Sequence, residues 1–246
     1  MIVSTYRPYF APFPGFFQKA MLSDALVLLD SVQFPLGTTW VNRNRFKNDQ
    51  GTYWMTVPVW KRGLGLQRIN EVKIYRERSW ARKHLAGLKA AYAKAPFFEE
   101  HEPFLENLFS GVPEMLLDLN LMIIRYIMAI LEIPARLVLL SDLHITEKEP
   151  DLSAAVCRKL KATCFLAQAS AGKYLSGELF DREDIELRFF RPRPVVYPQL
   201  WGSFIGNLST LDLLFNCGPG TCRVLKKALP DVEGKSDLEF GVTKVS

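Results

Sequence analysis

Apolar and polar positions divide this chain into two recurring kinds of segment. Short apolar runs at residues 1–5, 26–29, 135–140, 163–167 and 186–190 are too brief for helices. Bounded by polar residues, such runs have the form of strands buried on both faces of a parallel sheet. Between them the spacing turns helical. Helices are expected at 16–22, 78–94, 99–109, 113–132 and 152–161, near 174–180, and at 210–216. In the second of these, Trp80, Leu85, Leu88 and Tyr92 share one stripe behind Ser79 as N-cap. Ser209 or Thr210 can cap the last, and Gly218 ends it. Pro8, Pro12, Pro14 and Gly15 keep the first connection irregular. Period-two alternation at 53–59 and 69–75, around Gly63 and Gly65, predicts a hairpin, with Pro58 at an edge or strand end. The expectation is one α/β domain over residues 1–246. It has a doubly wound, mostly parallel sheet of about five strands, interrupted at 47–132 by a hairpin and helical insertion.

The polar chemistry gathers behind the second apolar run. Asp30 ends it, and Gln33, Trp40, Asn42, Arg43, Asn44 and Arg45 follow. Ligands of open α/β sheets sit past the carboxyl ends of strands. A loop there with a carboxylate, amides, an indole and two guanidinium groups can hold a polar, anionic ligand. An Asn/Arg-rich turn with solvated charges is the plainer reading of any one of these residues.

Charge sharpens that picture. The chain carries a net +5, yet residues 43–94 hold thirteen Lys/Arg against three acids. An anionic partner for one face would account for this, as would a solvated basic helix. In this segment His84 follows Trp80 by four residues and stands beside Lys83, a candidate base among candidate substrate-binding residues. Ser141, Asp142 and His144 follow another strand and are secondary candidates. Near the end, Tyr197 and Gln199 suit hydrogen bonding and stacking on a loop, and Asp212 lies between apolar helical neighbours. Asp30, Arg43, His84 and Gln199 are expected to converge at one rim of the sheet.

Other chemistry finds little support. Cys157, Cys164, Cys217 and Cys222 lack C-x-x-C spacing, and His84, His101 and His144 form no H-x-x-x-H. No metal site and no cofactor are expected. The N-terminus has no signal-peptide pattern, and the most apolar stretch, 115–131, carries Asp118 and Arg125. With 48% hydrophobic and 23% charged residues, a cytoplasmic enzyme without a transmembrane segment is the working picture.

Several words in order resemble the WbqC-like protein family across almost the whole chain. They are PYFAPFPGFF at 8–17, DSVQF at 30–34, WVNRNR at 40–45, TVPV at 56–59, WARKH at 80–84, YAKAPFF at 92–98, YPQL at 197–200 and LSTLDLLFN at 208–216. Arg7 stands where the family usually has glutamine, and Gly206 where it often has proline. The resemblance implies association with surface-polysaccharide (O-antigen) biosynthesis and transfer of glycine, or another acyl group, to an amino sugar. In that reaction His84 would deprotonate the amine, with Asp30 and Asp212 as further catalytic candidates. Arg43, Arg45 and Lys83 would hold a diphosphate, and Gln33, Asn42, Asn44, Trp40 and Trp80 would orient a sugar. The acceptor would be a sugar nucleotide and the donor an activated species such as aminoacyl-tRNA. Two other readings stand beside this one: a non-catalytic scaffold of a polysaccharide assembly complex, and a tRNA-binding protein.

Overall fold

The computed structural model of the chain describes residues 1–76 and 79–234. In chain order the elements are β1 (Ile2–Tyr6), α1 (Pro14–Met21), β2 (Ala25–Leu28), β3 (Arg43–Asn48) and β4 (Gly51–Thr56). Next come α2 (Trp80–Tyr92), α3 (Phe98–Ser110), α4 (Leu116–Ile130), β5 (Arg136–Leu139) and the short α5 (Leu140–Leu143). The chain continues through α6 (Asp151–Leu160), β6 (Cys164–Gln168), α7 (Gly177–Asp181) and β7 (Glu186–Phe190). It closes with α8 (Thr210–Cys217), α9 (Thr221–Lys227) and β8 (Glu233–Gly234). The main sheet runs β5-β2-β1-β6-β7-β8, parallel throughout except for β8, which is antiparallel to β7. The architecture is α/β with five parallel strands, flanking helices and a separate antiparallel hairpin of β3 and β4.

Strand β2 shows why apolar runs mark this sheet. Leu26 and Leu28 enter the core under α1, α4 and α8, while Ala25 and Val27 enter the core under α6 and α7. Both faces are covered, so alternation disappears and each large side chain contributes about 1.5–3 kcal/mol of burial. All five predicted parallel strands form, within a residue or two of their expected limits. Helix α2 begins at Trp80, and Arg78, placed in this helix from the sequence, lies outside the described residues. Ser79 occupies the N-cap position but makes no side-chain capping bond there. Ser209 does cap α8, its hydroxyl accepting from Leu211 N at 3.2 Å.

The hairpin is not where the alternation placed it. Residues 43–48, expected as a ligand loop, pair with 51–56 across a tight turn. Between 53–59 and 69–75 only Val59 and Ile74 form an isolated bridge, and Ile69–Glu71 is a single 3-10 turn. Pro58 removes a donor beside that bridge, and the two glycines of the connecting loop take positive φ, which interrupts pairing.

Helix α1 starts at Pro14, whose fixed φ suits the first turn. At Gly15 a side chain would come within 2.7 Å of both the Phe13 ring and Pro192, so only glycine allows α1 to approach the segment after β7. The β1–α1 loop is then stapled from outside. Phe10 N donates to Trp40 O at 2.9 Å, and Asn120 of α4 donates to Pro8 O and Val41 O at 2.8 Å each. Among the described residues no helix is long and apolar enough to cross a membrane.

Candidate active site

From β1 the chain winds outward in two directions. The β1-to-β2 crossover packs α1 on one face of the sheet, and the β5-to-β6 crossover packs α6 on the other. The carboxyl ends of β1 and β6 therefore border the topological switch point, where sheets of this kind take ligands. Two adjoining cavities of about 600 Å³ and about 380 Å³ lie there, sharing Arg7, Val32, Glu149 and Leu152 as a common wall. Ser31, Gln33, Arg68 and Lys148 line the larger one. Thr5, Tyr6, Tyr9, Lys19, Gln168 and Tyr174 line the smaller.

Lys19 is the unusual group of this cleft. Phe16, Phe17 and Ala20 seat α1 in the core, and Lys19 points its amine at the end of β1 with 1% of its surface exposed. Its Nζ donates to Thr5 O at 3.1 Å and lies 4.7 Å from the centre of the Tyr6 ring. Burial pulls its pKa down to about 7, and the Glu149 carboxylate resists that shift. A lysine in this state accepts and gives up protons near neutrality. Glu149 is shifted the opposite way: burial raises its pKa, against hydrogen bonds from Ser153, whose hydroxyl donates at 2.8 and 2.9 Å to its two oxygens. Tyr6 donates to Gln168 Oε1 at 2.9 Å, which fixes the amide at the cleft floor, and burial raises the Tyr6 and Tyr9 hydroxyls above their ordinary values.

The residues singled out from the sequence fall, by their contacts, into four groups. Gln33 lines the larger cavity, and Asp30 lies just before it in the chain, outside the lining. Asp30 is 1% exposed; its carboxylate accepts from Ser141 N at 2.9 Å, Ser141 Oγ at 2.6 Å and Asn70 Nδ2 at 3.3 Å, tying the ends of β2 and β5 together. Trp40, Arg43 and Arg45 form a second group with Trp54 on the outer face of the hairpin. Asn42 and Asn44 point inward instead. Asn42 Nδ2 donates to Val57 O at 3.0 Å, and Asn44 Nδ2 donates to Phe10 O and Ala11 O at 3.1 and 2.6 Å.

The third group is His84 and Trp80. His84 Nε2 donates to Thr56 O at 3.0 Å, with its ring edge-on to Trp80 and Phe109. Burial lowers its pKa, opposed by that backbone bond, so the ring is neutral at neutral pH with its Nε2 proton already engaged. Trp80 is buried and donates to Tyr75 O at 3.1 Å, while Lys83 is exposed on α2. In the fourth group Asp212 accepts from Tyr92 at 2.6 Å and Tyr197 at 2.7 Å. Beside it Gln199 accepts from Lys47 Nζ at 3.1 Å and from Ile205 N at 2.9 Å. Among the described residues no contact joins Asp30, Arg43, His84 and Gln199 directly: each takes part in a different cluster, and Arg43 is carried on strand β3 where a loop was expected. Asp142 and His144 are exposed, and Ser141 is committed to Asp30.

Asn44 allows a direct check of a structural role. Asn44→Ala would leave the Phe10 and Ala11 carbonyls and Arg45 N, which Asn44 Oδ1 accepts from at 2.7 Å, without their partners. The expected loss is about 2–3 kcal/mol in urea unfolding.

Comparison with known proteins fixes the lineage. The sequence profile of the WbqC-like protein family matches residues 7–224. The chain belongs to this family. It is also 31% identical over 218 residues to "Uncharacterized protein Rv1507c" of Mycobacterium tuberculosis (strain ATCC 25618 / H37Rv), covering 88% of this chain and 94% of that relative. No solved structure matches. Membership of the WbqC-like family suggests a role related to polysaccharide biosynthesis. In this WbqC-like chain the matched span contains the cleft residues described above except Thr5 and Tyr6, which lie just before it. Arg7, Lys19, Glu149 and Gln168 were not singled out from the sequence as site residues. Two signals could have found three of them: Arg7 and Gln168 close apolar strands as Asp30 does, and Lys19 occupies a helical position three residues after Phe16, on the face the core requires.

Proposed function

We propose that this WbqC-like protein is a transferase that joins an acyl or aminoacyl group to the amine of an anionic, nucleotide-linked amino sugar. The observation that carries the reading is Lys19, a buried amine with a pKa of about 7 lining a cleft at the topological switch point. An amino sugar arrives largely as its ammonium and cannot attack until a proton leaves. Neutral Lys19 takes that proton, and Glu149 alongside stabilises the lysinium that results. The freed amine attacks the acyl carbon of the activated donor, the new C–N bond forms and the bond to the leaving group breaks. Lysinium then returns its proton to the leaving oxygen. Arg7 and Lys148 supply positive charge for the phosphates, Arg68 extends it along the larger cavity, and the Gln33 and Gln168 amides suit sugar hydroxyls. Together the cavities fall in the range that a sugar nucleotide occupies. Aminoacyl-tRNA is the donor class proposed, because an ester already carries the free energy that amide formation needs.

A thermal-shift titration with nucleotide-linked sugars, with and without a free amino group, tests the acceptor side. The wild type should gain several degrees with the amino form, and Arg7→Ala should lose most of that gain. Equal stabilisation of both proteins would remove Arg7 and the cleft from recognition. Stabilisation that ignores the amino group would overturn the acceptor assignment.

A further inference from the structure

We propose that the outer face of the β3–β4 hairpin is a stacking platform for single-stranded nucleic acid, separate from the Lys19 cleft. Trp54 and Trp40 are 44% and 37% exposed, where a tryptophan serving only as core would be covered. Their ring centres lie 5.4 Å apart at an angle of 41°. The Arg43 guanidinium lies 3.7 Å from the centre of the Trp54 ring, and that of Arg45 lies 5.7 Å from Trp40 and 6.0 Å from Trp54. Antiparallel pairing sets this order: Arg45 faces Trp54 across the hairpin and Arg43 faces Thr56, so indole and guanidinium share one face of the ribbon.

The cations are held in place. Arg45 Nη2 donates to Gly206 O at 3.2 Å and Asn207 O at 3.0 Å, which locks its plane, and the Arg43 guanidinium is held against the Trp54 ring. Among the described residues neither arginine joins an ion pair. Arg43 and Arg45 thus place two positive charges beside the exposed indoles. An exposed ribbon face with adjacent indoles suits a run of unstacked bases, each lying on an aromatic surface, with guanidinium groups meeting the phosphates. A free sugar would find stacking here but nothing to answer the charge. A duplex hides its base faces and cannot use the indoles.

The platform stands on its own geometry and does not depend on transfer chemistry in the cleft. Fluorescence anisotropy with labelled ten-nucleotide RNA and DNA of the same mixed sequence, single-stranded and annealed, tests it at 50 and 200 mM salt. Single strands should bind, more weakly at the higher salt. Trp54→Ala should weaken binding roughly 10- to 100-fold, with Trp54→Phe recovering much of it. Arg43→Ala should weaken binding and lower the salt slope by about one. Because Trp54 is exposed, both tryptophan variants should keep the wild-type circular dichroism and melting behaviour. The proposal is overturned by absence of single-strand binding at 100 µM probe, by equal affinity for the duplex, or by binding that Trp54→Ala and Arg43→Ala leave unchanged. It is equally overturned if a nucleotide-linked sugar, and no oligonucleotide, quenches Trp54.

Discussion

Lys19→Met is expected to lower turnover by about 10²- to 10⁴-fold, the usual contribution of a positioned proton acceptor, while making the fold more stable below pH 7. Both effects have one cause. Methionine matches the length and apolar stem of Lys19, so the packing beside Tyr6 and Phe16 survives, but it accepts no proton. For stability the sign follows from the depressed pKa. In the unfolded chain the lysine holds its proton to its ordinary value near 10.5, whereas in the folded chain it releases it at about 7. The cost of burying the ammonium is therefore fully present below pH 7 and fades as pH rises toward the unfolded value. Urea unfolding at pH 6 and pH 9 should show the variant's advantage at the lower pH and much less of it at the higher. Turnover of the wild type should rise with pH through a value near 7, and Glu149→Gln should move that limb downward, because Glu149 holds the lysine pKa up. Lys19→Arg should be as inactive as methionine, since guanidinium keeps its proton. A Lys19→Met protein with wild-type turnover and an unchanged acidic limb would end the role of Lys19 as base.

The parallel sheet was legible because the residues that make it have one job. In β2 every side chain is buried, on one face or the other, so ALVL can be read as nothing else. The switch point is legible in principle from the same runs, but the densest polar residues of the sequence stand elsewhere, at 40–45. There the density has a different origin. Strand β3 alternates like any strand, yet its buried positions include Asn44, an amide that the carbonyls of Phe10 and Ala11 require, and its outward positions are arginines. With polar residues on both phases the period of two is hidden from any hydrophobicity pattern. Lys19 was hidden for the converse reason. Its helix is buried over almost its full length, and a lysine on such a face looks in sequence like a solvated one. Only the fold shows that β1 and Glu149 close over it.

The fourth cluster carries the largest stability effect: Asp212→Ala is expected to cost about 3–5 kcal/mol in unfolding. Asp212 joins four parts of the chain. Its oxygens accept from Tyr92 of α2 and Tyr197 of the segment after β7, and Tyr92 in turn accepts from Lys47 N of β3 at 3.0 Å. The Lys47 ammonium, whose charge Asp212 helps to balance, reaches past to Gln199 and to Ser203 O at 2.7 Å. Alanine would strand two buried hydroxyls and leave that ammonium without its carboxylate. Asp212→Asn separates charge from shape. Burial raises the Asp212 pKa, opposed by the two tyrosine bonds, so the folded state holds this proton more firmly than the unfolded chain. The wild type is then most favoured at acid pH, below the unfolded value, and loses that margin as pH rises through the folded one. Asparagine does not titrate, so its deficit relative to wild type should be largest in acid and should narrow toward neutrality. Guanidinium unfolding of both variants between pH 3.5 and pH 7.5 checks the magnitude and the slope together. If Asp212→Ala kept wild-type stability and lost turnover at least tenfold, Asp212 would belong to the reacting centre and the active site would lie under the hairpin instead of at the ends of β1 and β6.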